Sequence, residues 1–143
     1  MNAKLSIIIP AFNEEKTISV ILAKITEINL NSVLKEIIVI DDCSKDNTSA
    51  KVKEFISENP HEQIVLIQQE INQGKGAAIH KGIEAATGDF LLIQDADLEY
   101  DPREYPHLLR PMLEGHADVV YGSRFMGHNP HRILFFWHSI GNK

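Results

Sequence analysis

The sequence predicts an α/β fold, a mainly parallel sheet with helices on both faces. Three observations carry this. Short β-branched runs alternate with helical patterns through the first 122 residues, which implies right-handed crossovers between parallel strands. The strand runs are continuously apolar, as in strands buried on both faces. Four of the five end in polar clusters, at the sheet edge where open parallel sheets bind ligands.

Residues 5–10 form the first strand. Asn13 is placed to cap a helix with Glu14 and Glu15 in its first turn and Ile18, Ile21, Leu22, Ile25 and Ile28 as one apolar stripe. Residues 36–42 form a second buried strand with acids at its carboxyl end. Asp46 or Ser44 caps a second helix with Val52, Phe55 and Ile56 inward, and residues 64–67 are a third strand. A third helix over about 76–86 stops at Gly88, read as a C′ glycine. Residues 90–93 make a fourth strand that ends in Gln94-Asp-Ala-Asp97. Asp101-Pro-Arg-Glu104 reads as a capping box, and Pro106 and Pro111 predict that the helix after it is kinked or broken. Residues 117–121 are expected as a fifth strand, and Asn129-Pro130 opens a last helix with Ile133, Phe136, Trp137 and Ile140 on one face.

With 143 residues, 43% hydrophobic and 24% charged, the chain has the composition of one globular domain able to fold without a disulfide or metal staple. Its one cysteine, Cys43, excludes a disulfide framework and is read as a small buried residue rather than a nucleophile. No apolar run approaches the roughly 18 residues of a membrane span, and the N-terminus leads straight into a strand, so the expectation is a cytoplasmic protein with no signal peptide. The net charge of −6 argues against nucleic acid as a partner. Residues 119–143 differ from the rest: they hold Arg124, Arg132, Lys143 and no acid, with five of the ten aromatics.

The strand-end clusters are Pro10-Ala-Phe-Asn-Glu14, Asp41-Asp42-Cys-Ser44, Asp95-Ala96-Asp97 and Gly122-Ser-Arg124. Any one alone reads as a turn or a helix cap. Carboxylates recurring along one sheet edge repel unless a ligand or cation joins them. The turn after the first strand has no glycine, which excludes a dinucleotide fingerprint, and Gln69 and Gly76 stand where a Walker A loop needs glycine and Ser or Thr. Asp95 and Asp97, one residue apart in a turn, can aim oxygens at one hard divalent cation, Mg²⁺ or Mn²⁺.

Five motifs occur in one order: Ile9-Pro-Ala-Phe-Asn-Glu14, Val39-Ile-Asp-Asp-Cys-Ser-Lys-Asp46 with Thr48, Asn72-Gln-Gly-Lys-Gly76, Asp95-Ala-Asp-Leu-Glu99 and Gly122-Ser-Arg-Phe125. The set resembles the glycosyltransferase family 2 catalytic domain, in its polyprenyl-phosphate sugar transferase branch. The resemblance implies a glycosyltransferase-A fold, Rossmann-like, that holds a UDP- or GDP-sugar at the carboxyl edge. Pro10, Phe12 and Glu14 then match the loop for base and ribose, and Asp42, with Asp41 before it, the acid beside the nucleoside. Gly74 and Lys75 match the loop near the nucleotide. Asp95, Ala96 and Asp97 match the metal and diphosphate motif, with Glu99 as a third ligand, and Arg124 matches an arginine that approaches the diphosphate. Asp95, Asp97 and Arg124 are the implied catalytic residues, in an inverting transfer to a lipid phosphate or a glycan.

The resemblance further implies a nucleotide-sugar domain over 1–125 and an acceptor- or membrane-facing amphipathic segment over 126–143. Arg132 is the candidate contact for the acceptor phosphate. That segment reads either as an amphipathic helix packed on its own domain or, with equal weight, as a surface for a second copy of the chain or the cytoplasmic face of a membrane, and His128, His131 and His138 read as polar helix surface. Two readings compete. A receiver-like module also sets acids at parallel strand ends, but needs its acidic pair after the first strand rather than the second. A catalytically incomplete donor-binding fragment or partner subunit shares every motif and differs only in whether transfer occurs.

Overall fold

The computed structural model describes residues 3–122, which divide into two compact units between Glu104 and Tyr105. The first unit holds four parallel strands, β1 (Lys4–Ala11), β2 (Leu34–Asp41), β3 (Ile64–Gln68) and β4 (Phe90–Ile93), in the order β3-β2-β1-β4. Helices α1 (Ile18–Glu27), α2 (Thr48–Glu58) and α3 (Lys75–Ala85) connect them. Strand β1 lies at the centre, with Leu5, Ile7, Ile8 and Ile9 wholly buried. Each such side chain contributes roughly 1.5–3 kcal/mol by leaving water.

Register decides which residues share a face. Ile8 pairs with Ile38, and Ile40 with Pro10; Ile8, Ile38, Ile40 and the α3 residue Ala78 form one buried cluster. Helix α3 rests on β1 and β2 at short range because Gly82 faces Ile8: a Cβ at Gly82 would stand 2.4 Å from Ile8 Cγ2. The opposite face carries Ile7, Ile9, Ile37 and Val39. There α2 packs on β2 and β3, and α1 packs on α2. The stripe Ile18, Ile21, Leu22 and Ile25 of α1 is wholly buried. The edge strands are less covered, and Val65, Leu91 and Ile93 stay exposed.

The N-terminal ends of the strands are tied by one acid. Buried Glu36, beside Ser6 in register, accepts the Lys4 ammonium at 2.6 Å, the Thr87 amide at 2.6 Å, the Thr87 hydroxyl at 2.8 Å and the Ser6 hydroxyl. Burial alone would raise its carboxyl, but the bonds from Lys4, Ser6 and Thr87 outweigh that and hold it at about 2.

Several local expectations are corrected. Helix α1 begins at Ile18, not after Asn13; the Asn13 backbone is left-handed (φ 57°), so it cannot cap in the usual extended conformation. Ile28 lies beyond the end of α1 in extended conformation. The carboxyl end of α1 is closed instead by Lys35, whose ammonium donates to the carbonyls of Ile25, Thr26 and Ile28 at 2.9, 2.8 and 2.7 Å. Burial pushes the Lys35 ammonium below its usual range, against the opposing pull of Glu62. Asp46 does serve α2, accepting the Thr48 amide at 2.9 Å from one residue ahead of the N-cap position. Ser44 is used elsewhere.

Gly88 is not a helix terminator: α3 ends at Ala85, and Gly88 lies three residues further on. A Cβ at Gly88 would meet Ser6 Oγ at 2.6 Å and the Lys4 carbonyl at 2.8 Å, so close passage over β1 is what requires glycine. Cys43 is half-buried, not buried, and its thiol lies 3.5 Å from the Glu70 carbonyl.

The helix expected to be kinked or broken at Pro106 and Pro111 is one continuous helix, and the change in helical geometry comes ahead of both prolines. A 3-10 turn, Pro102–Glu104, closes the first unit, and α4 (Tyr105–Leu113) then opens the second, with Pro111 inside it. Asp101 accepts the Arg103 amide at 3.0 Å, as a cap should. The expected fifth strand at 117–121 does not form. It has no ladder partner among the described residues, and Val119 and Tyr121 are exposed, so it lacks what a strand needs to persist. The expected boundary at 125/126, the last helix and the three histidines lie outside the described residues.

Candidate active site

The four loops at the carboxyl edge are held together before any ligand is considered. The loop after β1 is laced to the loop after β2. The Asn13 amide donates to the Ser44 hydroxyl at 2.9 Å, and Asn13 Oδ1 accepts the Lys45 amide at 2.8 Å. The Glu14 amide donates to the Thr48 hydroxyl at 2.8 Å, and the Glu15 amide to Asp46 at 3.1 Å. Glu15 returns the contact by accepting the Asn47 amide and side chain, each at 3.1 Å. Burial works to raise the Asp46 carboxyl, but the bonds from Thr48 and Glu15 prevail and lower it.

The two acids ending β2 are both committed. Asp41 is buried; it accepts the Ser44 amide at 3.0 Å and the Ser49 hydroxyl, binding its own loop to the start of α2. Asp42 reaches the other way. Its carboxylate accepts Gln69 Nε2 and the Gln73 amide at 2.8 Å and the Gly74 amide at 2.7 Å. An α-helix leaves its first amides without internal partners. Asp42 satisfies the N-cap amide of α3, that of Gly74, and fixes the residue before it, from just past a strand about 30 residues earlier. Gly74 can therefore stand at the N-cap of α3 with φ 86°, a conformation that glycine adopts without cost.

After β4, Asp97 Oδ1 accepts the Glu99 amide at 3.1 Å across a turn whose middle residue, Leu98, is left-handed at φ 64°. Among the described residues, three of the four non-glycine positions with positive φ, Asn13, Cys43 and Leu98, sit in loops of this edge. Strained backbone of this kind gathers where a loop must aim groups at a ligand.

These loops enclose a cleft of about 160 Å³ lined by Pro10, Ala11, Phe12, Glu14, Asp42, Lys75, Ala78, Asp95, Ala96 and Asp97. Lys75 Nζ lies 2.7 Å from Asp95 Oδ1 across it. Glu14 is steadied by the Thr17 hydroxyl at 2.6 Å. Phe12 keeps 44% of its surface exposed, which leaves its ring free to stack on a planar group.

The structure thus brings together Pro10, Phe12, Glu14, Asp42, Lys75, Asp95, Ala96 and Asp97, residues from four of the five motifs. Asp41 and Gly74 stand behind the wall as supports. Glu99 does not line the cleft, and Arg124 and Arg132 lie outside the described residues. Sequence reasoning missed the lacing by Asn13, Ser44, Asp46 and Thr48, and the clamp on Asp42 by Gln69 and Gln73. The only signal for these was their crowding beside the motifs.

Among the described residues no three acids, histidines or cysteines converge as a complete metal cage. Asp95 and Asp97 instead offer a hard, two-carboxylate set. That donor chemistry suits a divalent cation that completes its shell with water and substrate phosphates. A larger hollow of about 330 Å³ is lined by Lys24, Glu27, Ile28 and 101–103, and two of its four charged residues, Asp101 and Arg103, are joined to each other. No helix among the described residues is long and apolar enough to cross a membrane.

Comparison with known proteins gives the same direction. The family model described as glycosyl transferase family 2 matches residues 6–138. An uncharacterised protein of Methanocaldococcus jannaschii is 39% identical over 139 residues, 93% of this chain and 58% of that protein. The dolichol-phosphate mannosyltransferase of Pyrococcus furiosus is 32% identical over 123 residues, 86% of this chain and 34% of the enzyme. Among solved structures, a Staphylococcus aureus protein in complex with UDP-GlcNAc superposes with a TM-score of 0.67 at 28% identity, over 79% of this chain and 32% of that one. A mannosyltransferase of Pyrobaculum calidifontis in complex with GDP-Man and Mn²⁺ gives 0.63 at 27% identity, over 68% and 28%. The chain therefore spans between about a third and three fifths of the length of these curated relatives.

Proposed function

Because the chain belongs to glycosyl transferase family 2, we propose that its cleft binds a UDP- or GDP-sugar together with Mg²⁺ or Mn²⁺, and that the sugar passes with inversion to a polyprenyl phosphate. The observation that supports this most is the meeting of Asp95 and Asp97 with the Pro10, Phe12 and Glu14 loop and Lys75 in one cleft at the sheet's carboxyl edge. The relative from Pyrococcus furiosus is named for a dolichol-phosphate acceptor, and the solved neighbours hold UDP- and GDP-sugars.

Each residue then has a task. Phe12 and Glu14 hold base and ribose, and Asp42 fixes the loop beside them. Asp95 and Asp97 hold the cation, which supplies charge compensation for the departing nucleoside diphosphate. Lys75 and Arg124 add positive charge where the diphosphate gathers negative charge as the sugar–phosphate bond breaks. The sugar carbon becomes oxocarbenium-like and is attacked from the opposite side, which gives inversion. A lipid phosphate is already anionic at neutral pH, so no general base is required. Arg132, in the acceptor-facing segment 126–143, meets that phosphate.

A second reading, a donor-binding chain that does not complete transfer by itself, draws on the share of its relatives' length that the chain covers. One thermal-shift and turnover panel separates the two. UDP or GDP should raise the melting temperature with Mn²⁺ or Mg²⁺ present and fail to do so in EDTA. Sugar transfer to a polyprenyl phosphate by the 143-residue chain favours the first reading; donor binding without transfer favours the second. No shift with any nucleotide, with or without metal, sinks both.

A further inference from the structure

Four carboxylates line the cleft, Glu14, Asp42, Asp95 and Asp97, and Lys75 is the one cation among its lining residues. Three of the acids have local uses. Glu14 takes the Thr17 hydroxyl, Asp42 takes the amides that open α3, and Asp97 takes the Glu99 amide. Asp95 takes Lys75, at 2.7 Å.

The backbone of Lys75 is well anchored. It is the first residue of α3, directly after the amides clamped by Asp42, on a helix seated close against β1 through Gly82. Its side chain is not so held: it is 60% exposed, and Asp95 is 23% exposed. A flexible stem on a fixed base can carry its ammonium from one partner to another without moving the helix. An exposed lysine–carboxylate pair is also weak, so exchanging it costs little.

Building on the donor-binding reading above, we propose that Lys75 is the resting counter-ion of Asp95, and that it moves to the donor's diphosphate when the donor arrives. In the ligand-free cleft it holds a carboxylate that a divalent cation needs. A cation arriving alone must displace the ammonium and then remain beside a like charge. The diphosphate reverses this by drawing the ammonium away and leaving Asp95 open. Cation and nucleotide therefore raise each other's affinity by the same factor, and Lys75 carries part of that coupling. The exchange also keeps four acids from facing one another without compensation while the cleft waits.

The test measures Mn²⁺ binding by electron paramagnetic resonance, first with Mn²⁺ alone and then with UDP or GDP. Lys75→Met should bind Mn²⁺ alone about three- to fivefold more tightly than the wild type, the scale of an exposed ion pair. The enhancement that nucleotide confers on Mn²⁺ binding should be smaller than in the wild type by about the same three- to fivefold. Lys75→Arg, which keeps the charge, should stay within about twofold of the wild type on Mn²⁺ alone. Equal or weaker Mn²⁺ binding by Lys75→Met, including no measurable binding by either protein, overturns the counter-ion role. A shift by Lys75→Arg as large as that of Lys75→Met overturns it too. Failure of the wild type to take up either nucleotide at any Mn²⁺ concentration overturns the donor reading instead, and that result appears only in the nucleotide arm.

Discussion

The two ends of one sheet treat their acids in opposite ways. At the N-terminal end of the strands buried Glu36 meets a lysine, two hydroxyls, a backbone amide and the Gln63 side-chain amide, all drawn from within the fold. At the carboxyl end Glu14, Asp42, Asp95 and Asp97 line one cleft, and Lys75 is the one cation among its lining residues. The first arrangement is closed, because the Glu36 charge is matched by the Lys4 ammonium and by donors of the fold itself. The second has more negative charge than the described residues compensate, which is the condition for recruiting a cation with its anionic cargo. A carboxylate therefore signals function here by its imbalance with its neighbours and not by burial, since Glu36, Asp41 and Asp42 are all nearly inaccessible.

The comparison can be broken from either side. The largest effect is expected from Glu36→Ala, which removes the acceptor of the Lys4 ammonium and of four further donors and should cost about 3–4 kcal/mol in chemical denaturation. Nucleotide affinity of the folded fraction should change by less than about twofold, because the additivity of distant sites leaves the cleft intact. Next comes Asp97→Asn, which should weaken cation-dependent nucleotide binding by about 100-fold in calorimetry, as loss of a direct ligand must exceed loss of its support. Its stability should stay within about 0.5 kcal/mol of the wild type, as for an exposed position. If Asp97→Asn unfolds the protein, or Glu36→Ala abolishes nucleotide binding, the division of labour between the two ends is wrong.

A smaller effect sharpens the same contrast through pH. The Glu36 carboxyl is held at about 2 in the fold, below its ordinary 4.5. A depressed carboxyl contributes stability that is present in full above the ordinary value and is lost as pH falls through the folded value. Between pH 5 and pH 2 the wild type should therefore lose on the order of 2 kcal/mol that Glu36→Gln does not lose. Parallel denaturation curves for the two proteins over that range would show that Glu36 is not the titrating tie.

How much of this was legible in the sequence depended on range. The four strands and three helices of the first unit could be read because each is local: β-branched runs, and the stripe from Ile18 to Ile25 at helical spacing. The cleft was legible because its residues cluster after strand ends that a parallel sheet must bring together. What could not be read were partnerships across distance. Glu36 meets Thr87 51 residues away, and Asp42 meets Gln73 and Gly74 31 and 32 residues away. Nothing near Lys35 in the chain announces that it will close α1. Gly88 misled because two physical demands, a left-handed cap and close passage over a strand, select the same residue. The run at 117–121 misled because β propensity describes a strand's side chains and says nothing about whether a neighbour is there to pair with it.

The lacing of the first two loops has a consequence for affinity. A flexible loop that closes on a ligand must surrender its conformational entropy at that moment, and the cost comes directly out of the binding free energy. Asn13, Glu14 and Glu15 are already fixed by Ser44, Asp46 and Thr48. Their ordering is charged to folding, and association inherits it free. For a small, shallow cleft walled by loops, such preorganisation is how modest contact area can still give useful binding.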